Sequence, residues 1–299
     1  MPKEFFYGFT GSCEVGQWLG KTWSAAALFL GLLGSVMPGQ AGAAGFEILK
    51  PHRAVYEVKL EDSTDRSGIS NMTGRIVYEM EGNECDGISV RYRFVTKVSA
   101  NGEIFTSDQQ TASFEGPDGK EFNFLTKAFV NEQLDRTVQG VARKKDNGLV
   151  VDLKSPTDRV VELPEANFIS AHLIKILEQA HAGKAFSQIN VFDGGEDADK
   201  ILKTTNIVGK PEVIAAALDG EDKNAVTRLG QQEAWPVTIA YFDNTITNSA
   251  EPLPVYEVSF LLYEGGISRK LVMKYPDYTI SGSLVALEIL EKDACTIKN

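Results

Sequence analysis

Three cysteines and three histidines are the side chains of this 299-residue chain best suited to nucleophilic or metal chemistry. Their spacing supports neither. Cys13, Cys85 and Cys295 form no Cys-x-x-Cys pair, and none has an adjacent histidine to take its proton. His172 and His181 fall on opposite faces of a helix drawn through them, so they do not share a metal. His52 stands alone and reads as a surface residue. Ser281-Gly282-Ser283 lacks the Gly-x-Ser-x-Gly frame of a nucleophile elbow, and no glycine-rich phosphate loop is present. The acidic run Phe192-Asp193-Gly194-Gly195-Glu196-Asp197-Ala198-Asp199 invites a calcium reading. An EF-hand loop counted from Asp193 needs Gly sixth and Glu twelfth, where Ala198 and Thr204 stand. The run therefore reads as a solvated acidic turn. No catalytic set, metal site or cofactor is expected, and the chain is not read as an enzyme.

Two of the cysteines carry a different message. Lys21 precedes an uncharged apolar run from Thr22 to Val36, then Met37-Pro38-Gly39-Gln40 and the small triplet Ala41-Gly42-Ala43. A cationic flank, an apolar core, a breaker and an A-x-A site make the layout of a secretory signal. The core is about 15 residues, short of the ~20 that a permanent spanning helix needs. The expected organisation is a signal over residues 1–43, cleaved near Ala43, and a single exported domain over 44–299. Cleavage removes Cys13 and leaves Cys85 and Cys295. An even pair in an exported chain is most simply a disulfide, with free thiols or a reactive cysteine as the alternatives. Such a bridge closes nearly the whole mature chain, for which loop entropy gives on the order of 5 kcal/mol.

Net charge is −11, and the signal carries two lysines and two glutamates, so the mature value is the same. A surface of that sign repels phosphate backbones and anionic headgroups. The densest cationic run, Arg143-Lys144-Lys145, reads as a solvated hairpin end, and nucleic acid is not an expected partner.

The elements that would position any site are mostly strands. Apolar Tyr56, Val58 and Leu60 alternate with polar residues, as do Ile76, Tyr78 and Met80, and Ile88, Val90, Tyr92 and Phe94. Further strands are expected near Glu103–Glu115, Lys120–Val130, Leu134–Arg143, Leu149–Leu153, Val255–Tyr263, Ile267–Tyr275 and Thr279–Leu290. Asn101-Gly102, Pro117-Asp118-Gly119 and Asp146-Asn147-Gly148 supply turns. One segment breaks the pattern: Phe168 to Ala180 has apolar Ile169, Leu173, Ile176, Leu177 and Ala180 at helical spacing. An amphipathic helix packed against, or plugging, a curved antiparallel sheet accounts for it. Glu212–Leu218 reads as a short helix and Asp219-Gly220-Glu221-Asp222 as a surface loop. The sheet is rich in Phe and Tyr, which fill a core or line a cavity for an acyl chain or apolar peptide.

Several stretches resemble the EipB-like envelope-integrity family of α-proteobacteria. They are Val161-Glu162-Leu163-Pro164, Val191-Phe192-Asp193-Gly194, Trp235 through Asp243, Tyr256 through Ser268, and Asp277 through Leu284. The early and late cysteines fit as well. The resemblance implies a periplasmic, mainly β protein whose long antiparallel sheet winds as a spiral or partly open barrel around one helix. It implies a disulfide at Cys85 and Cys295, a role in cell-envelope integrity, and no assigned enzymatic reaction. The functional expectation is a non-catalytic protein that holds a protein partner or an apolar lipid or peptide ligand. A lipid or lipoprotein carrier is the alternative, and an envelope hydrolase the third reading.

Overall fold

The computed structural model describes residues 45–243, 245 and 252–295; the signal reading and Cys13 fall outside the described residues. The first half is a run of hairpins: β1 (His52–Ser63), β2 (Ile69–Asn83), β3 (Gly87–Ala100), β4 (Glu103–Glu115), β5 (Glu121–Val130), β6 (Gln133–Lys145), β7 (Gly148–Ser155) and β8 (Arg159–Leu163). Then follow α1 (Ile169–His181), β9 (Phe186–Val191), β10 (Leu202–Val208), β11 (Glu212–Val213) and α2 (Lys223–Thr227). The chain finishes with β12 (Glu233–Asp243), β13 (Tyr256–Tyr263), β14 (Ser268–Lys274) and β15 (Tyr278–Ile289).

All the strands belong to one antiparallel sheet in the order β8-β7-β6-β5-β4-β3-β2-β1-β15-β14-β13-β12-β10-β9, with β11 on β12. The first strand thus lies against the last, and β8 and β9 are left as the edges. The chain after β8 returns to the β9 edge at one point. Asn167 N–H donates to the Asn190 carbonyl and the Asn167 carbonyl accepts from Phe192 N–H, both at 2.9 Å. Arg159 of β8 pairs with Asp199 at 2.8 Å across the same region. The sheet therefore closes at a point rather than along a ladder, which makes a partly open barrel.

Alternation explains which face is inside. Ala54, Tyr56 and Val58 are buried, and the register lays Tyr56 beside Ile76, Ile76 beside Phe94, and Met80 beside Val90. The opposite face carries cross-strand ion pairs such as Arg75–Glu57, Arg91–Glu79 and Arg93–Asp108, whose arginines are solvent-exposed and which contribute under about 1 kcal/mol each. Strands β8, β9, β10 and β12 were not legible from alternation. In β12, Pro236 and the apolar residues on both faces hide the period.

Helix α1 occupies the expected span, but its buried set differs. Ile174, Ile176, Leu177 and Ala180 are buried together with Ser170, His172 and Gln179, while Ile169 and Leu173 are half-buried. The helix is enclosed on more than one side, by β9, β10 and a 3-10 turn at Phe46–Ile48, so a single apolar stripe does not suffice. Its N-cap position is Phe168, whose side chain caps nothing. Glu115 at the end of β4 does so instead, with its carboxylate accepting Ser170 N–H at 2.5 Å and Ala171 N–H at 3.4 Å.

The expected helix at Glu212–Leu218 is absent. Glu212 and Val213 pair with β12, the chain then runs without regular structure, and the helix forms later as α2, capped by Asp222. Asp219-Gly220-Glu221-Asp222 is likewise no plain surface loop, since the Glu221 side chain is 1% exposed. The physical reason is Arg269 of β14, at 0% exposure, which pulls the segment onto the sheet. Arg269 Nε and Nη2 donate to the Glu221 carboxylate at 2.9 and 2.5 Å, and Nη1 donates to the Tyr263 hydroxyl at 3.2 Å. Nη1 and Nη2 also donate to the carbonyls of Ile214 and Ala216 at 3.0 and 2.9 Å. Residues 209–232 form a strap held by this buried arginine, by the β11–β12 pairing and by buried Ala225 and Leu229. Burial works against the charge of Arg269, but the bonds to Glu221 and Tyr263 outweigh it and raise its pKa.

Candidate functional site

The apolar interior is divided among three clusters. One gathers Tyr56, Met72, Val98, Met273 and Ile280; a second joins α1 to Met80, Val90, Trp235 and Val237; the third is Phe122, Phe124, Val151, Phe168 and Phe192. Between the first and second runs a belt of aromatic side chains that none of them closes over. Tyr241 of β12 and Tyr256 of β13 are register partners with ring centroids 4.3 Å apart at 15°. Tyr256 stacks on Tyr275 at 5.9 Å, and Tyr275 on Tyr278 at 4.7 Å. Tyr92 and Phe94 of β3 continue the belt at 6.5 Å from each other.

Every ring of this belt is half-buried. Burial pushes the hydroxyl pKa of Tyr92, Tyr241, Tyr256, Tyr275 and Tyr278 upward, so they stay protonated donors. Among the described residues, no protein group within hydrogen-bond geometry satisfies the hydroxyls of Tyr92, Tyr275 and Tyr278, and none of them is a buried orphan. They therefore open onto accessible space. The neighbouring inner positions of β4 and β5 are polar: Thr111 and Thr126 share a hydroxyl–hydroxyl contact at 3.0 Å, and Gln109 is exposed. The wall thus offers stacked ring faces with hydrogen-bonding hydroxyls at their rims, a surface suited to apolar or ring-bearing molecules.

The residues singled out by chemistry sit elsewhere. Cys85, in the β2–β3 turn, and Cys295 are joined in a disulfide with Cα atoms 5.6 Å apart. It ties the last segment to that turn, beside the Lys292–Glu84 ion pair at 2.6 Å. His52 is not a surface residue: it is 1% exposed, with Nδ1 donating to the Lys50 carbonyl at 2.7 Å, and burial lowers its pKa. His172 lies on the buried side of α1, with Nε2 3.1 Å from Asn206 Oδ1 and 3.2 Å from Thr204 Oγ1. Burial brings its pKa down to about 4. His181 is on the opposite side of the helix, exposed, 2.7 Å from Glu264 and edge-on to Trp235. Ser281 donates to the exposed Glu61 carboxylate and Ser283 to the Asp219 carbonyl, both at the protein surface.

The acidic run is more than a solvated turn. Phe192 and Ala198 are buried at 0% and 1%, and a Cβ at Gly194 (φ +67°) would lie 2.7 Å from the Phe124 ring. A Cβ at Gly140 of β6 would lie 2.8 Å from the same ring. Phe124 is thus sandwiched between two backbones that only glycine admits so closely. The acids splay outward to cations: Asp197 toward Arg136, Asp199 to Arg159, and Glu196 to Lys200, which also holds Asp243 at 2.6 Å. Asp193 accepts Gly195 N–H at 2.8 Å, and burial raises its pKa. Among the described residues no three His, Cys, Asp or Glu side chains converge as metal ligands. Lys144 is no solvated hairpin end either: its Nζ lies 5.0 Å from the Phe168 ring centre, and burial lowers its pKa.

A single sheet wound into a point-closed barrel, with an aromatic belt along its inside, defines a β-barrel-like protein with an accessible inner wall. Comparison with known proteins gives the lineage. The EipB-like family model matches residues 43–291, and the chain belongs to that family. It is 39% identical over 254 residues to the cell envelope integrity protein EipB of Brucella abortus (strain 2308), covering 85% of this chain and 89% of that protein. A crystal structure of a β-barrel-like protein of a domain of unknown function from Brucella abortus superimposes with a TM-score of 0.77 at 38% identity. The match covers 81% of this chain and 99% of that one. The family is one of cell envelope integrity proteins, and the mainly β, partly open barrel that the resemblance implied is the fold observed.

Proposed function

We propose that this protein is exported to the periplasm and supports the cell envelope as a non-catalytic binding protein. Its aromatic belt takes an apolar ligand that also carries hydrogen-bonding groups. The observation that carries this reading is the set of partner-free tyrosine hydroxyls on half-open, stacked rings inside an otherwise packed barrel. A closed core would have satisfied those hydroxyls or replaced them with phenylalanine. The buried titratable groups support the absence of chemistry, because each serves the fold. Glu115 caps α1, His172 bonds Asn206 and Thr204, and Glu221 holds Arg269. The Thr204 hydroxyl beside His172 is fully buried and donates to the Ile189 carbonyl at 2.9 Å.

Native mass spectrometry of protein purified without detergent from an export-competent host tests this. The expected spectrum shows a chain beginning near residue 44, two hydrogens lighter than the reduced form, with an adduct of lipid or peptide mass. Replacing both Tyr256 and Tyr275 with Leu removes stacking of about 0.5–1.5 kcal/mol per pair and should weaken retention roughly tenfold. A bare wild-type chain that also fails to bind the apolar fluorophore N-phenylnaphthylamine would refute the reading.

A further inference from the structure

A cleft of about 600 Å³ lies at the C-terminal end of α1 and shares no lining residue with the aromatic belt. It is bounded by the helix end, by the first residues of β12 and by Glu264 in the turn between β13 and β14. Gly183 (φ +62°) ends the helix there, and a Cβ on it would meet nothing within 4 Å, so the helix end stands open. Trp235 of β12 lines the cleft at 7% exposure, with the His181 ring set edge-on to it at 5.3 Å. A tryptophan buried to this degree ordinarily gives its indole N–H to an acceptor. Among the described residues nothing accepts it, yet the nitrogen is not sealed from solvent, so the N–H opens into the cleft. The groups around it are mostly acceptors. His181 Nε2 donates to Glu264 Oε1 at 2.7 Å, and Glu233 is exposed with no ion pair among the described residues. Gln232 Nε2 donates to the Leu229 carbonyl at 2.5 Å, which leaves its amide oxygen to the cleft. No lysine or arginine lines the cleft.

We propose that this cleft binds an uncharged saccharide, with ring hydroxyls on the Trp235 N–H and on the Glu233 and Glu264 carboxylates. The lining selects this class by elimination. An anion meets two carboxylates and no lysine or arginine. A wholly apolar molecule covers the N–H and the carboxylates without pairing them, which costs free energy at each group. An ammonium group suits the carboxylates but offers no acceptor to the indole N–H. A peptide supplies both kinds of group, but only one N–H per residue. Sugar hydroxyls donate and accept alike, and two neighbouring hydroxyls can donate to one carboxylate. The C–H face of the ring then lies against the His181 and Trp235 side chains. The volume of the cleft falls within the ordinary range of small-molecule sites. The proposal is independent of the reading of the aromatic belt.

The chain carries its own reporter. Its three tryptophans are Trp18, Trp23 and Trp235, so the exported chain keeps only the one in the cleft. Its emission is followed as chitotriose, and then the neutral oligosaccharides released from an α-proteobacterial envelope by mild acid, are added. A saturable change is expected with at least one of these probes, at an affinity that differs less than twofold between low and high salt. Glu233→Gln should weaken that affinity roughly tenfold, the worth of a hydrogen bond to a charged acceptor. Trp235→Phe keeps a ring but loses the N–H, and should weaken binding several-fold by calorimetry with an unchanged far-UV spectrum. Should Trp235→Phe not fold, Glu233→Gln decides, because that side chain is exposed. No saturable response to any of the saccharides overturns the proposal. So does a response that Glu233→Gln leaves unchanged, or one given by putrescine or trialanine and not by the saccharides.

Discussion

Replacing Arg269 with Met should be among the most destabilising changes the sheet can suffer, because β14 carries it, fully buried, on the core side of the strand. The guanidinium makes five hydrogen bonds at zero exposure, two of them to a carboxylate that is itself 1% exposed. Methionine fills much of the volume but leaves Glu221 buried without a counter-charge. Breaking a buried pair on one side costs about 3–5 kcal/mol. In a domain of this size that is a fall in Tm of about 10 °C, at ~2–4 °C per kcal/mol. The strap offers a partial escape, since the irregular residues 214–221 between β11 and α2 can lift and let water reach Glu221. The loss should therefore appear partly as a smaller m-value in urea unfolding followed by circular dichroism. The double variant Arg269→Met, Glu221→Leu removes both charges and should recover to within about 1–2 kcal/mol of the wild type, the signature of a mutual requirement. A single variant within ~1 kcal/mol of the wild type would refute the reasoning. So would a double variant less stable than the single.

Glu115→Ala should cost about 2–4 kcal/mol in the same assay, because α1 loses its only side-chain cap and two N–H groups lose their acceptor. Glu115→Gln keeps an acceptor and should cost far less. Burial raises the Glu115 pKa, so the folded state binds its proton at higher pH than the unfolded chain does. The wild type should gain on Glu115→Gln as pH falls toward the ordinary carboxylate range. His172 acts in the opposite sense. Its folded pKa is about 4 against 6.5, so the unfolded chain takes up the proton first. The associated stability is intact above pH 6.5 and lost as pH falls to about 4, on the order of 3 kcal/mol in all. Urea midpoints at pH 7, 5 and 4 should show that His172→Gln flattens this loss; equal slopes would show that His172 does not titrate where burial places it.

The strands that could be read were those with one wet face. β1, β2 and β3 alternate because their outer residues include Arg, Glu and Lys meeting water. β8 is five residues long, β9 and β10 carry exposed apolar residues, and β12 is apolar on both faces, so alternation fails in each. Helix α1 was legible from its spacing, but the face bearing His172 and Ser170 was not. Those residues read as solvent-facing until β4 and β10 supply Glu115, Thr204 and Asn206. The aromatic richness of the sheet was visible, whereas the belt was not. Tyr241 and Tyr256 are near in sequence, but Tyr92 joins them only when β3 curls round.

The sequence by itself determined local matters: much of where the backbone is extended, where α1 forms, a net charge of −11, and a chain that resembles one family from Val161 to Leu284. These follow from neighbour-scale physics, in which side-chain period and turn chemistry act over a few residues. Only the tertiary structure decided that β1 lies on β15, that Asn167 closes the barrel at a point, that Arg269 fastens the strap and that the tyrosine hydroxyls stay open. Each of these joins residues far apart in the chain, and whether a given Glu, Arg or Tyr is buried, paired or free depends on what the fold brings against it.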